Sequence, residues 1–486
     1  MIRYWVGLLL VTSFSGSVAQ IDTTTGGKVL SLDEFFQVVL AHHPVAQQAY
    51  LLDDFAQADL RLARGYFDPT LKSNLAIKEF GGTTYYNTWD SKLEVPLWLP
   101  ADLNVGYEQN RGEYLNNERS NTENGLLYAG VSVPIGRGLL IDQRRTAVKT
   151  ARLMQDMAVA EQIKEINKLL LSAAKAYWDW YYAYEAYQAV DEIEQLAETR
   201  YRGIVRQVIN GDVAPFDSLK AYINYQDRDV QRTQAALELE NARLSASVFL
   251  WQSSPEGAIP LDVSATTVPA LPDSTAPVTA EALAELRTLA RKNHPELTKV
   301  SVKIQQLQIE QRLNREYLKP EVNLKYNFLA RSLWGDEYPL FGSNTSYPTP
   351  WLSNNYKAGI EFYFPLFLRK ERAKIAKTRV KMEENFFERS YLLRTIENDI
   401  NQAYNTLHTL RQVVSMQTRM VDNYRTLLRG ELRKFEFGES SVFLVNTRET
   451  ELLEARIKLL KLQAQYGKAK LELQYAAGVP RLTGGG

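Results

Sequence analysis

The sequence contains no cysteine, and this absence removes several kinds of chemistry at once. Without cysteine there are no disulfides, no thiolate metal ligands, no cysteine nucleophile and no cysteine that could carry a lipid anchor. Histidine is also scarce, with four residues, so we predict no metal centre. The 57 basic residues balance the 57 acidic ones, and this neutrality gives no sign of nucleic-acid binding.

Catalytic motifs are missing as well. We find no G-x-S-x-G and no H-E-x-x-H in the chain. The sequence Gly26-Gly27-Lys28 lacks the spacing of a phosphate-binding loop. We therefore predict that the protein is not an enzyme and that it binds no cofactor.

The N-terminus is typical of an exported protein. Arg3 supplies a basic residue, Trp5 to Val11 is a short apolar run, and Ser17-Val18-Ala19 has small residues at cleavage spacing. Residues 1–19 are therefore predicted to be a secretory signal peptide. The rest of the chain has no apolar run of the length that a membrane-spanning helix needs. An exported chain of this kind is either soluble outside the cytoplasm or crosses a membrane as a β-barrel.

The chain contains an internal duplication. His43-Pro44 recurs as His294-Pro295 at an offset of 251, and Asn210-Gly211 is matched by Phe437-Gly438 at an offset of 227. We therefore predict a first repeat at 20–252, a Pro-rich linker at 253–279, a second repeat at 280–478 and a C-terminal tail at 479–486.

Each half has two segments in which apolar and polar residues alternate, which predicts four strands per chain. If the apolar faces meet lipid, the polar side chains of these strands face the lumen of a barrel. The predicted lumen residues are Lys72, Asn74, Lys78, Asn323, Lys325, Asn327 and Glu361. Residues 81–127 contain further strand-like runs, which either form an added hairpin or extend the barrel strands.

Two very long helices are predicted, from Arg145 to Ile209 and from Arg372 to Glu436. Each has about 65 residues and would be about 97 Å long. Apolar residues recur at alternating steps of three and four, which is the pattern of coiled coils. Helices that return from the Gly turns, stacked on the shorter first helices, would match this length and give antiparallel pairs about 100 Å tall.

Four strands cannot close a barrel, and open strand edges are not tolerated in lipid. Three chains would supply twelve strands, an even number suited to a closed barrel. The predicted fold is therefore mainly α with a β-barrel part, in which long antiparallel coiled-coil helices carry four barrel strands per chain.

The duplication, the His-Pro elements, the strand-Pro-helix passages and the Gly turns occur in an order that resembles the TolC-like outer membrane efflux protein family. The resemblance covers nearly all of the mature chain. It implies a homotrimer in outer membrane lipid, with a twelve-stranded barrel and a helical tunnel in the periplasm. It also implies a periplasmic membrane fusion (adaptor) protein that contacts the helix tips and links them to an inner-membrane transporter. Efflux or type I secretion substrates would pass through unchanged. The adaptor-contacting tip residues would be Asn210, Gly211, Phe437, Gly438 and Ser440.

The family also gates its periplasmic mouth with charged residues just after the tip turns. Asp217 matches the acidic position of the first repeat. In the second repeat the acidic positions are occupied by Leu444 and Thr447, and the basic position by Ser440, so the ionic lock is incomplete. The gate candidates are therefore Asp217, Asp212, Glu439 and Glu449. Alternatively, Asp217 stabilises only the start of its own helix.

A different class of protein also fits part of the pattern, namely a periplasmic coiled-coil adaptor or scaffold protein. Adaptors usually carry one coiled-coil hairpin with β domains around it. This chain has two predicted hairpins and amphipathic strands, which favours the export channel.

Overall fold

The computed structural model describes residues 29–115, 125–254, 257–261, 263, 267–271, 278–331 and 355–479. The predicted signal peptide, most of the C-terminal tail and parts of the predicted linker lie outside these residues. The division into two repeats stays a prediction.

Eight α-helices are described in these ranges, and two of them are far longer than the others. The helices are α1 (Leu32–His42), α2 (Pro44–Arg64), α3 (Gln143–Asn210), α4 (Pro215–Ser247), α5 (Ala280–Asn293), α6 (Pro295–Glu316), α7 (Arg369–Glu436) and α8 (Val442–Ala476). The long helices α3 and α7 have 68 residues each. A straight helix of that size spans about 102 Å.

The described strands form one large sheet and two small pairings. The strands are β1 (Val29–Leu30), β2 (Thr70–Phe80), β3 (Thr83–Pro96), β4 (Asp102–Arg111), β5 (Leu126–Pro134), β6 (Trp251–Ser254), β7 (Gly257–Pro260), β8 (Val268–Pro269), β9 (Glu321–Ala330) and β10 (Tyr356–Tyr363). The large sheet is antiparallel throughout, in the order β10-β9-β5-β4-β3-β2.

The shorter helices pack along the long ones. Both α2 and α4 pack on α3, and both α6 and α8 pack on α7. The two halves meet because α3 also packs on α6 and α8. Each chain therefore presents four helical columns, two of single long helices and two of shorter helices stacked end to end, as the length comparison predicted.

Large aromatic side chains hold the middle of these columns together. Tyr177 and Trp180 are buried against α1, and the Tyr177 hydroxyl lies 2.8 Å from the carbonyl oxygens of both Leu30 and Ala270. Trp178 packs over Gly467 of α8, where a Cβ would lie 2.1 Å from the indole ring. Only glycine at this position lets α3 and α8 approach so closely.

The two His-Pro elements break their helices in the same way. The Nδ1 atom of His43 accepts a hydrogen bond from the Val45 amide at 3.1 Å, and that of His294 accepts one from the Glu296 amide at 3.3 Å. Each histidine is therefore the N-cap of the helix that starts at the following proline. Burial lowers the pKa of both imidazoles, which favours the neutral form that can accept this bond.

The sheet differs from the sequence prediction in one respect. The predicted class, mainly α with a β-barrel part, agrees with the long helices and the curled sheet, but the sheet has six strands and not four. The two additional strands, β3 and β4, come from the segment whose structure the sequence left open. They form a hairpin between β2 and β5, which is the first of the two alternatives given for residues 81–127. Among the described helices, none has a stretch long and apolar enough to cross a membrane.

Acidification is predicted to destabilise the helical part through the two histidine caps. The pKa of each histidine in the folded chain lies below its ordinary value of 6.5, so on acidification the unfolded chain takes up protons that the folded chain does not. The stabilisation is fully present above pH 6.5 and is lost as the pH falls from there through the pKa of the folded chain. Thermal unfolding of the detergent-solubilised protein between pH 7.5 and 5.5 measures this loss. The double variant His43→Asn/His294→Asn keeps an N-cap that does not titrate. It should show a flatter pH dependence, and an equally steep one would contradict the assignment.

Candidate channel lining and helix-tip groove

One face of the large sheet is polar across all six strands. The strand register places all seven predicted lumen side chains on this face, with Asn323 opposite Glu361 and Lys72 opposite Lys92. The opposite face is apolar and exposed. Its side chains include Leu71, Leu75, Leu93, Leu103, Val105, Ile360 and Phe362. The sequence alternation therefore correctly predicted which residues share a face.

The polar face is cross-linked by ion pairs and is concave. Lys72 Nζ lies 2.8 Å from Glu94 Oε2, and Lys325 pairs with Glu361. Lys357 of β10 reaches Glu108 of β4 at 3.1 Å although β9 and β5 lie between them. A contact across that distance requires the sheet to curl towards its polar side. The hollow so formed has a volume of about 360 Å³ and is lined by charged and amide side chains.

The other end of the molecule is formed by the two tip turns. Gly211 ends α3 with a φ of 84°, and Gly438 follows α7 with a φ of 76°, a left-handed conformation that favours glycine. Asn210 and Phe437 are exposed at these turns. The Ser440 hydroxyl donates a hydrogen bond to the Glu431 carboxylate and so ties the second turn to α7.

A groove of about 740 Å³ lies between the two helix tips. Its lining comes from both hairpins and includes Ile204, Val213, Asp217, Ile223, Phe435 and Phe443. The Asp217 carboxylate enters this mainly apolar groove and lies 3.4 Å from Lys220 Nζ. Asp217 also occupies the first turn of α4, where no side chain caps the helix. Its position therefore suits both interpretations, a charge at the mouth and stabilisation of the helix start.

The other gate candidates occupy two different environments. Asp212 and Glu439 are exposed at the tip turns. Glu449 is only 5% exposed, because both of its carboxylate oxygens accept hydrogen bonds from Arg200 of α3. Arg200 also donates to the Asn446 side chain at 2.6 Å. This group joins the first helical hairpin, formed by α3 and α4, to the second, formed by α7 and α8. We refer to Arg200, Asn446 and Glu449 as the hairpin clamp.

A buried arginine also connects the two helical hairpins. Arg228 of α4 is 3% exposed and donates to the Thr450 hydroxyl and, at 2.8 Å, to Gln231. The sequence did not predict the interhelical roles of Arg200 and Arg228, because both lie on helices whose charged residues are typical of the solvent-exposed face of a coiled coil. Their partners on α8 lie more than 200 positions away in the chain, and no local pattern connects them.

The overall architecture can be compared with known structures. The chain combines a tall helical layer with a curled sheet whose faces are polar and apolar. The same fold occurs in the outer membrane channel MtrE of Neisseria gonorrhoeae, with a TM-score of 0.65 and 15% identity, over 92% of this chain and 89% of that one. The Campylobacter jejuni channel CmeC matches with a TM-score of 0.61 and 15% identity, over 92% of this chain and 85% of that one.

Part of the second half of the chain matches a known family in sequence. Residues 286–479 match the family described as Outer membrane efflux protein. No curated protein matches the chain in sequence. The predicted resemblance to the TolC-like outer membrane efflux proteins is confirmed. The matched family transports substrates and is not a family of enzymes.

The hairpin clamp yields a prediction about stability. Glu449→Ala should lower the free energy of unfolding by about 3 kcal/mol, because it leaves the largely buried Arg200 guanidinium without its carboxylate. Chemical denaturation in detergent measures this loss. Glu451→Ala is the matched control on the same helix, since Glu451 pairs with Arg448 three residues away, a pair worth about 0.5 kcal/mol. Equal losses in the two variants would show that the clamp contributes no more to the free energy of unfolding than an exposed ion pair does.

Proposed function

We propose that the protein is the outer membrane duct of a tripartite efflux or type I secretion system and acts as a homotrimer. The observation that carries this proposal is the two-faced sheet. Its apolar face suits contact with lipid, its concave polar face suits a water-filled lumen, and both of its edge strands need a partner. Substrates pass through the duct without chemical change.

The helix tips are the part that would meet a periplasmic adaptor, which connects the duct to an inner-membrane transporter. Large apolar side chains stand exposed around the two glycine turns, which is unusual for a surface in water. These residues are Ile209, Phe216, Phe437 and Phe443. Together with Asn210, Gly211, Gly438 and Ser440 they form the surface that we assign to adaptor contact.

The gate is proposed to lie at the same end. In a trimer, three copies of Asp217, with Asp212 and Glu439 near them, would surround the narrowed mouth with negative charge. Such a ring attracts cations and repels anions. The Glu449 carboxylate is engaged by Arg200, so we assign it to holding the hairpins together and not to the ring.

The alternative function, a periplasmic adaptor or scaffold, would leave the apolar sheet face in water. Membrane fractionation separates the two proposals. An outer membrane duct should need detergent for extraction, run as heat-modifiable trimers and conduct ions across planar lipid bilayers. A protein that remains in the soluble periplasmic fraction without such trimers would overturn the duct.

The lipid-facing side of the sheet can be tested with neighbouring residues of β2. Leu75→Lys places a charge on the apolar face and should disfavour membrane insertion by about 2–4 kcal/mol near the bilayer midplane. Asn74→Lys places the same charge on the polar face and should insert as the unmodified protein does. The amount of heat-modifiable trimer in the membrane fraction measures both. Equal loss in the two variants would contradict the assignment of faces.

The acidic ring predicts an effect on ion selectivity. Asp217→Asn removes up to three charges from the mouth of a trimer and should reduce the preference for cations, measured as the reversal potential in a salt gradient. Glu240→Gln is the control, because Glu240 pairs with Arg243 far from the tips. If selectivity is the same in Asp217→Asn as in the unmodified channel, Asp217 only stabilises the start of α4.

A further inference from the structure

The hairpin formed by β3 and β4 is a full part of the sheet wall. Ten residue pairs join β3 to β4, and both strands also pair with their outer neighbours, β2 and β5. The hairpin therefore separates the two strands that would otherwise pair directly in the first half.

The lower turn of this hairpin is anchored to the helical part. The Arg144 guanidinium, near the start of α3, lies 2.7 Å from the Asp102 carboxylate at the start of β4. The ring of Trp98 lies 5.2 Å from that of Phe67, which ends the segment after α2. These contacts place the turn at the junction between helices and strands, which is where the wall of a barrel would begin.

The hairpin also has the same two faces as the rest of the sheet. Asp90, Lys92 and Glu108 belong to its polar face and line the hollow described above. Trp89, Leu93, Leu103 and Val105 belong to its apolar face and are exposed. A loop that projected into water would not need this alternation, whereas a barrel strand does.

At a tilt of about 40°, six strands match the width of the helical layer. Four helical columns at an axis spacing of about 10 Å occupy about 40 Å of circumference per chain. Strands about 4.8 Å apart and tilted by about 40° take about 38 Å for six and about 25 Å for four. The additional hairpin therefore lets the sheet continue the helical layer without narrowing.

The register supports that tilt. The pairing that starts at Thr70, the first residue of β2, passes through all the strands and reaches Lys357 in β10. The end of β10, Tyr363, lies six residues further on. The register is therefore offset by six residues, about 20 Å along the strands, across five strand-to-strand spacings of about 4.8 Å. This offset corresponds to a tilt of the strands by about 40° from the barrel axis.

We propose that three copies of this chain close an eighteen-stranded barrel, in which β2 of each copy pairs with β10 of the next. This inference rests on the trimer of the proposed function. The described sheet ends in these two strands, and hydrocarbon does not tolerate open edges. They run in opposite directions, so the closed barrel is antiparallel throughout. Its diameter between backbones is about 36 Å, against about 24 Å for twelve strands.

The barrel diameter tests this directly. Full-length trimers in lipid nanodiscs, imaged by cryo-electron microscopy, should show a barrel about 36 Å across. A trimer with a barrel about 24 Å across and the hairpin outside the wall overturns the inference and leaves the proposed duct standing. Failure to find any membrane-embedded trimer overturns the duct itself.

A deletion variant measures the contribution of the hairpin. Removal of Gly82–Arg111, which joins Gly81 to Gly112, should give trimers with the narrower barrel. Neutral polymers of graded size, added from the barrel side in planar bilayers, should be excluded at a smaller size than in the full-length channel. An unchanged cut-off in a folded trimer overturns the inference, and the diameter of the unmodified barrel decides the question if the variant does not fold.

The proposed edge pairing is testable because the chain has no cysteine of its own. Leu75→Cys with Ile360→Cys, or with Ala358→Cys, places two thiols on the same apolar face of facing edges. Oxidation should then give covalent oligomers in denaturing gels. Asn74→Cys with Ala358→Cys places the thiols on opposite faces and should give none. Cross-linking in neither of the same-face pairs would overturn the pairing of β2 with β10.

Discussion

The packing of two 68-residue helices determines most of this structure. Most of the stability of a helix in a protein comes from packing of its apolar stripe, and here that stripe must be covered along about 100 Å. The chain provides this cover with shorter helices, α2 and α4 along α3, and α6 and α8 along α7. The strands leave the helical layer where α2 and α6 end and α3 and α7 begin, so the sheet lies at one end of the long helices.

The polar interactions divide into two kinds with different consequences. On the concave sheet face, pairs such as Lys72 with Glu94 are half exposed and contribute little to stability, but they set the charge of the surface. In the hairpin clamp, the buried Glu449 and the largely buried Arg200 lie between helices of different halves. Their energy depends on the two hairpins keeping one alignment, so the clamp fixes the relative position of the tips and with it the shape of the groove between them.

Local periodicity explains what the sequence could predict. The long helices, the returning helices, the His-Pro breaks and the two faces of β2 and β9 all rest on patterns within a few residues of each other. The strand count could not be obtained in this way, because the runs around Pro100 suit either an added hairpin or longer strands. The partners of Arg200 and Arg228 could not be predicted either. Coiled-coil helices carry many charged residues, and only the three-dimensional alignment of the helices determines which of them pair.

The order of strands in the sheet constrains how such a wall can change size. Each of the six strands runs antiparallel to its neighbours in the sheet. The helices that precede and follow the strands all connect at the same end of the sheet. A chain that gained a single strand would place its following helices on the wrong side. The circumference can therefore grow or shrink only by whole hairpins, and in a threefold assembly each such event adds or removes six strands together. The bore of a duct of this kind is therefore not continuously adjustable by evolution but comes in discrete sizes.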